Sequence, residues 1–296
     1  MKTIEINHLT KDYGHHKGVF DVSFSVNEGE ILGFLGPNGS GKTTTIRHLM
    51  GFIKPDQGNT TILELDTFKQ ANLVQNQLGY LPGEIAFMED MTAKDFIEFM
   101  AEMKNMPSMK KAKELMDYFE LDSNIKIKKM SKGMKQKVAL VIAFMQDAPI
   151  LILDEPTSGL DPLMQNKFVE LIKKEKAEGK TILMSSHIFE EIEHTCDRVV
   201  IIREGKIVAK ESMENLKHHR HKHYEIVFKD SKDALSFSQL YKDHISINNR
   251  TVILSLKGEV NTLIQNLSHY DVVDILAREQ SLEELFMHYY GGNDHD

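Results

Sequence analysis

One short segment constrains the fold of this chain more than any other. It reads Gly-Pro-Asn-Gly-Ser-Gly-Lys-Thr over residues 36–43, after the apolar run Ile31–Leu35 and before a helical pattern at residues 43–50. Glycines at this spacing let a loop wrap so that backbone N–H groups point inward, and the following helix adds its positive end. The segment predicts a phosphate site whose nucleotide-binding residues are Gly36, Pro37, Asn38, Gly39, Ser40, Gly41, Lys42, Thr43 and Thr44.

A second segment places two carboxylates at the end of another buried strand. Residues 150–153 are all apolar, and Asp154 and Glu155 follow them directly. In open α/β sheets, ligands bind outside the carboxyl ends of the strands. We therefore expect Thr43 and Asp154 to hold Mg²⁺, and Glu155 to orient or deprotonate an attacking water.

The order of the remaining patterns predicts an α/β domain over residues 1–210. Short β-rich runs alternate with helical patterns throughout this stretch, as in a sheet covered by helices. A helix is predicted at residues 133–146 and a buried strand at 181–184. Two runs at 199–203 and 206–210, joined by Glu-Gly, predict a hairpin.

Beyond residue 210 the sequence predicts a polar linker and a smaller α+β domain. The linker covers residues 211–222 and includes a histidine cluster, which we interpret as solvated, with metal binding as the alternative. From residue 223 to 296 the expected order is strand, helix, strand, strand, helix, strand, the ferredoxin-like arrangement. These elements are predicted at residues 223–229, 231–242, 244–248, 251–256, 258–268 and 271–278. A last helix is expected at 281–290, with Ser281 and Glu284 forming a capping box.

Charge and hydrophobicity limit the partners of the chain. With 44 acidic and 36 basic residues, its net charge of −8 disfavours broad adhesion to nucleic acid or anionic lipid. The longest apolar run, residues 138–145, falls far short of the ~20 residues that cross a bilayer. Cys196 is the single cysteine, and we expect a buried, inert thiol. If the chain acts at a membrane, the membrane span must belong to a partner.

Four further segments, together with the two above, resemble the ATP-binding cassette (ABC) family. Residues 130–137 resemble its signature motif, and Ser158, Gly159, Leu160 and Asp161 resemble its D-loop. His187 resembles its switch histidine, and Tyr13 resembles the aromatic residue that stacks on adenine. The resemblance covers about residues 4–210, with all six elements in family order. It implies a P-loop NTPase cassette with a RecA-like core, a β-subdomain, and a helical subdomain at about residues 84–148.

The resemblance also implies a mechanism. Two cassettes would form a head-to-tail dimer around two ATP molecules, the partner being a second copy or a homologous cassette subunit. Ser131 and the Gly133 backbone of one subunit would contact the γ-phosphate that Lys42 of the other subunit holds. Glu155 and His187 would be the catalytic residues, so that ATP hydrolysis separates the subunits.

Two positions depart from the usual family pattern. Gly83 stands where a glutamine is usual, with Glu84 as a candidate substitute, and the signature reads Ser-Lys-Gly-Met at residues 131–134. This form resembles exporter cassettes with separately encoded membrane subunits, including drug and peptide-antibiotic exporters. The resemblance implies an ATPase that drives export by a transmembrane permease at the cytoplasmic face of the membrane. Residues 83–106 would then contain the contact with that permease.

Two other functions compete with this interpretation. A soluble cassette protein acting on ribosomes or DNA is the alternative, but the chain has one cassette, one cysteine and no sustained heptads. Together with the acidic charge, these features favour a chain with no nucleic-acid partner. The other is a regulatory cassette that does not hydrolyse ATP. Only Gly83 supports it, because the residues expected to bind and hydrolyse ATP are all present: Lys42, Asp154, Glu155 and His187.

Overall fold

The computed structural model describes residues 1–218, 222–241, 245–256, 260–279, 281 and 284. The chain divides into two compact units, Met1–Met213 and Glu214–Asp296. The strands of the first unit are β1 (Lys2–Asp12), β2 (Gly18–Asn27), β3 (Ile31–Leu35), β4 (Gln57–Ile62), β5 (Leu65–Asp66), β6 (Leu78–Leu81), β7 (Ile150–Asp154), β8 (Thr181–Ser186), β9 (Arg198–Arg203) and β10 (Lys206–Ser212). Its helices are α1 (Lys42–Leu49), α2 (Ala71–Gln75), α3 (Ala93–Met103), α4 (Lys110–Tyr118), α5 (Lys132–Met145), α6 (Pro162–Ala177) and α7 (Phe189–Thr195).

A six-stranded sheet lies at the centre of the first unit, in the order β10-β9-β3-β8-β7-β6. The pairs β9–β3, β3–β8, β8–β7 and β7–β6 are parallel, and β10 joins β9 as an antiparallel hairpin. Every residue of β3, β7 and β8 is buried, as their apolar runs predict for a parallel sheet covered on both faces. The carboxyl ends of these three strands therefore meet at one edge. The predicted strands and the predicted hairpin are confirmed.

A second, antiparallel sheet has the order β2-β1-β4-β5. The buried apolar residues of β1 and β2 share one core with the central sheet and α1. Between β6 and β7 the chain forms α3, α4 and α5, of which α5 packs against both other helices and against β6. Thr92 caps α3 through a capping box with Asp95. These helices lie within the range predicted for a helical subdomain, a division that stays a prediction.

Among the described residues of the second unit, one antiparallel sheet has two helices between its strands. Its elements are β11 (Lys222–Phe228), α9 (Ser231–Ser238), β12 (Ile245–Asn248), β13 (Thr251–Leu256), α10 (Val260–Leu267) and β14 (Val272–Glu279). The strand order is β12-β13-β11-β14, with every neighbouring pair antiparallel. Its core includes Phe228, Phe237, Val252 and Leu263. The order of elements agrees with the predicted ferredoxin-like arrangement.

Two parts of the sequence prediction need correction. The stretch 211–222 is wrong as a continuous polar linker, because residues 211–212 complete β10 and Met213–His218 form a short helix, α8. The reason is packing, since Met213 is buried and its N–H donates to the Asp197 carbonyl at 2.8 Å. The helix predicted at 231–242 ends earlier, at Ser238.

Other predictions fall partly beyond the described ranges. Residues 219–221 of the histidine cluster lie outside the described residues, as do 282–283 and 285–290 of the last predicted helix. The expected capping bonds are present, because the Ser281 N–H donates to Glu284 Oε2 at 3.0 Å and the Glu284 N–H donates to Ser281 Oγ at 3.1 Å. Cys196 is buried, and burial raises the pKa of its thiol. Within the ranges that the structure describes, no helix has the length and apolar character of a membrane span.

Candidate nucleotide-binding site

The phosphate loop lies between β3 and α1, at the carboxyl edge of the central sheet. The Gly36 N–H donates to the Ser186 carbonyl at 3.2 Å, which holds the start of the loop against β8. Gly39 and Gly41 have φ angles of 80° and 111°, in the region where L side chains are strained. A Cβ on Gly36 would lie 2.3 Å from the Ile202 carbonyl oxygen. The loop conformation therefore depends on its glycines.

Lys42, the first residue of α1, points its ammonium into this loop. Its Nζ donates to the Gly36 carbonyl at 2.6 Å and to the Pro37 carbonyl at 3.3 Å. The same Nζ lies 3.1 Å from Glu155 Oε1, and the lysine side chain is only 5% exposed. Such a buried cation, held by carbonyls and one carboxylate, is a strong site for a phosphate group. The Ser40 hydroxyl is also buried and has no hydrogen-bond partner among the described residues, so it is free to donate to a phosphate oxygen.

Asp154 ends β7 and is completely buried. Its Oδ2 accepts a hydrogen bond from Thr43 Oγ1 at 2.8 Å, so the two residues predicted to hold a metal lie together. Its Oδ1 accepts from the Ser185 hydroxyl, which the parallel register of β7 and β8 places opposite it. Sequence reasoning missed Ser185, although this residue directly follows the strand predicted at 181–184.

Hydroxyl and carboxylate oxygens are the ligands that Mg²⁺ prefers, so Thr43 and Asp154 fit this ion. Gly83, which stands where the family usually has glutamine, lies next to Asp154. A Cβ added to Gly83 would lie 3.1 Å from Asp154 Oδ2, which shows that the backbone passes close to the carboxylate. Glu84, the candidate substitute, is exposed.

Glu155 joins the predicted catalytic residues to the phosphate loop. Its Oε2 lies 2.7 Å from His187 Nδ1, and its Oε1 lies beside the Lys42 ammonium. The Glu155 N–H donates to Ser185 Oγ at 3.1 Å. Its φ of 51° is unusual for a residue with a side chain, and strained conformations of this kind concentrate at functional sites. The structure therefore brings Lys42, Glu155 and His187 into one cluster.

The signature motif is in a different environment. Ser131 is the N-cap of α5, and its Oγ accepts from the Met134 N–H at 3.2 Å. Gly133 lies so close to the D-loop that a Cβ there would be 2.6 Å from the Gly159 carbonyl oxygen. Among the described residues, no hydrogen bond or ion pair joins the signature motif to the phosphate loop. Within the described part of the chain, the contacts of Ser131 and Gly133 therefore do not include the Lys42, Glu155 and His187 side chains.

The remaining predicted site residues are those of the D-loop and Tyr13, the residue expected to stack on adenine. The Ser158 N–H donates to the Glu155 carbonyl at 3.1 Å, and Leu160 is buried. Asp161 caps α6 by accepting from the Met164 N–H at 3.0 Å. Tyr13 follows β1 and is 53% exposed. Its ring is therefore accessible, but no contact joins it to the phosphate loop among the described residues.

Comparison with known proteins assigns the chain to a family. The ABC transporter family model matches residues 19–158. The bacitracin transport ATP-binding protein BcrA of Bacillus licheniformis is 34% identical over 302 residues, which cover 98% of this chain and 97% of that protein. The linearmycin resistance ATP-binding protein LnrL of Bacillus subtilis is 35% identical, over 70% of this chain and 68% of that protein.

A solved structure described as the ATP binding subunit of an ABC transporter is also similar. It is 32% identical, has a TM-score of 0.66, and the match covers 73% of this chain and 92% of that one. The predicted family and cassette fold are therefore confirmed. Since a relative of 34% identity spans almost the whole of both chains, this chain belongs to the ATP-binding, ATP-hydrolysing subunits of the ABC transporter family.

Proposed function

We propose that this chain binds Mg-ATP, forms a head-to-tail dimer, and drives export through a separate membrane permease. The observation that carries the proposal is the position of the Glu155 carboxylate, between the Lys42 ammonium and the His187 ring. A carboxylate at this place is within reach of both a bound γ-phosphate and the water that attacks it.

Nucleotide binding rests on the phosphate loop and α1. Lys42 and the inward N–H groups of the loop bind the phosphates, and the exposed Tyr13 ring stacks on adenine. Thr43 and Asp154 would hold Mg²⁺, which when bound neutralises charge on the β- and γ-phosphates. Phosphate oxygens compete with Glu155 for the Lys42 ammonium, so binding of ATP frees the carboxylate.

Hydrolysis then uses the freed carboxylate as a general base. A water oxygen attacks the γ-phosphorus, its proton passes to Glu155, and the bond to the bridging oxygen breaks to leave ADP and phosphate. His187 is hydrogen-bonded to Glu155 and orients it toward that water. Ser185 fixes both acidic residues, since its hydroxyl donates to Asp154 and accepts from the Glu155 N–H.

The proposed dimer rests on the lack of a bond between the two motifs. Ser131 is exposed at the positive N-terminus of α5, and among the described residues no hydrogen bond or ion pair joins it to the phosphate loop of its own chain. In a head-to-tail pair, Ser131 and the Gly133 N–H complete the phosphate site of the other subunit. The other subunit is a second copy of this chain or a homologous cassette subunit.

The transport direction is inferred from the relatives, whose names concern bacitracin transport and linearmycin resistance. They favour a transporter subunit over a soluble cassette acting on ribosomes or DNA. We place the permease contact in residues 83–106, at the cytoplasmic face of the membrane. Met88 and Met103 are 50% and 67% exposed, whereas Phe87 packs against Phe96 with ring centroids 5.4 Å apart. The methionines are the better candidates for that contact.

The test is ATPase activity and solution mass of the full chain and its Glu155→Gln variant, each with and without Mg-ATP. We expect the variant to lose about 100-fold or more in rate and to accumulate as an ATP-dependent dimer. Glu120→Gln, which changes an exposed carboxylate paired with Lys167, serves as the control with wild-type behaviour. A wild type without activity, or a Glu155→Gln variant that stays monomeric in saturating ATP, contradicts the proposal. RNA or DNA that raises the rate several-fold would support the soluble alternative instead.

A further inference from the structure

The unusual lysine of the signature motif contacts the D-loop of its own chain. Lys132 Nζ donates to Ser158 Oγ at 2.9 Å. Its aliphatic stem lies across Gly159, where an added Cβ would be 3.0 Å from both Lys132 Cγ and Cδ. The family form with a second glycine at this position has neither contact. The D-loop of this chain is therefore held by a side chain that the usual signature lacks.

A second residue of α5, one turn after Lys132, also contacts the segment after Glu155. Gln136 is buried, and its Nε2 donates to the Pro156 carbonyl at 2.7 Å and to the Glu155 carbonyl at 3.4 Å. Residues four apart lie on one face of a helix, so Lys132 and Gln136 act on the same loop. Between them they contact residues from Glu155 to Gly159. The start of α5 and the segment after Glu155 are thus joined by three side-chain hydrogen bonds.

We propose that Lys132 is a positioning residue that fastens the D-loop to the signature helix, so that nucleotide bound in one site of the dimer positions Glu155 in the other. The proposal rests on the proposed dimer. There, Ser131 and Gly133 contact the ATP held by the opposite subunit, whereas Glu155 acts on the ATP of its own subunit. The link through Lys132 and Ser158 therefore joins the two sites.

Because the hydrogen bond between Lys132 and Ser158 is exposed to solvent, we expect its loss to affect hydrolysis and not the stability of the fold. Lys132 is exposed in the single chain, where a hydrogen bond to a charged side chain in water contributes little to stability. Closure of the proposed dimer removes water from the signature motif and the D-loop, and hydrogen bonds strengthen as the local dielectric falls. Loss of the bond should therefore change hydrolysis and cooperativity and leave the thermal unfolding midpoint unchanged.

The experiment is a double-mutant cycle in the full chain. Lys132→Met keeps a stem over Gly159 and removes the donor, and Ser158→Ala removes the acceptor. We expect each variant to lower kcat by about fivefold, to leave KM within about twofold, and to lower the Hill coefficient for ATP. The double variant should be no slower than either single variant, because both remove the same bond. Lys132→Arg, which keeps a donor, should recover most of the rate.

Lys167→Met is the matched control, since Lys167 of α6 also donates side-chain hydrogen bonds, to Glu120 Oε1 at 2.6 Å and to the Tyr118 carbonyl at 3.0 Å. It should keep the wild-type kcat and Hill coefficient. Additive effects of Lys132→Met and Ser158→Ala would mean that Lys132 acts elsewhere, on the nucleotide or the other subunit. If both variants match an active, ATP-dimerising wild type, only the linkage is wrong. An inactive wild type contradicts the proposed function and this inference with it.

Discussion

The phosphate site and the signature surface, meaning residues 131–133 with the D-loop, are built in opposite ways. Lys42 and Asp154 are 5% and 0% exposed, and each has partners from distant parts of the same chain. Ser131 and Lys132 are exposed, and the signature motif is bonded to its own helix and to the D-loop. The phosphate site is held together by contacts within the chain, whereas the signature surface lies open to solvent.

The difference follows from the cost of burying charge. An ammonium and a carboxylate removed from water need paired charges or hydrogen bonds, and the strand ends around the phosphate loop supply them. A helix N-terminus with exposed N–H groups has no such need, because water satisfies them until an anion arrives. The contrast leads us to expect that substitutions in the two regions separate nucleotide binding from hydrolysis.

The largest effect should come from Lys42→Ala. The variant removes a buried cation that contacts two loop carbonyls and the Glu155 carboxylate. We expect the affinity for ATP to fall about 100-fold, because charge-assisted bonds to phosphate are lost. Titration calorimetry of the full chain measures this directly. Lys128→Ala, which removes an exposed lysine paired with Asp90, should bind ATP as the wild type does. Equal affinity of the Lys42→Ala variant would show that the phosphates bind elsewhere.

Gly133→Ala should separate the two regions more cleanly, with a smaller effect. Its Cβ would lie 2.6 Å from the Gly159 carbonyl oxygen, so the D-loop or the start of α5 must shift. We expect ATP affinity within about twofold of wild type and an ATPase rate about tenfold lower, because only the surface that completes the other site is displaced. Gly179→Asn, at an exposed glycine with no neighbour within 4 Å, controls for the loss of a glycine. A parallel loss of ATP affinity in Gly133→Ala would remove the distinction between the regions.

The smallest effect concerns a buried histidine of α1, the helix that follows the phosphate loop. His48 of α1 is 1% exposed, and burial lowers its pKa, with Lys11 lowering it further and Asp56 and the Thr44 carbonyl opposing the shift. The unfolded chain therefore binds a proton at this histidine more readily than the folded chain does. Stability should fall as pH drops below about 6.5, the usual histidine value, toward the lowered pKa.

Thermal unfolding midpoints between pH 5 and 7 check this expectation. His48→Gln should show a shallower loss of stability toward low pH than the wild type. His15→Asn, at an exposed histidine with a left-handed backbone that asparagine tolerates, should keep the wild-type slope. Identical slopes for all three proteins would mean that His48 does not contribute to the acid sensitivity.

The sequence by itself determined the elements of the site. A local pattern of a few residues was sufficient to predict the first buried strand, the glycine-rich loop and the carboxylates. These features are the run Ile31–Leu35, the loop that follows it, and the apolar strand that ends at Asp154. The order of strands and helices in the second unit was likewise visible in alternating strand and helix patterns. The prediction of a polar linker at residues 211–222 was wrong, because the polar composition of this stretch does not show that Met213 is buried.

Only the tertiary structure decided which side chains support these elements. Ser185 reaches Asp154 across 31 residues, and Lys132 reaches Ser158 across 26. The first contact depends on the parallel register of β7 and β8, and the second on the packing of α5. A pattern of neighbouring residues in the sequence does not determine either of these. Composition and spacing identify residues able to bind phosphate or metal, whereas the order of the strands determines which of them meet.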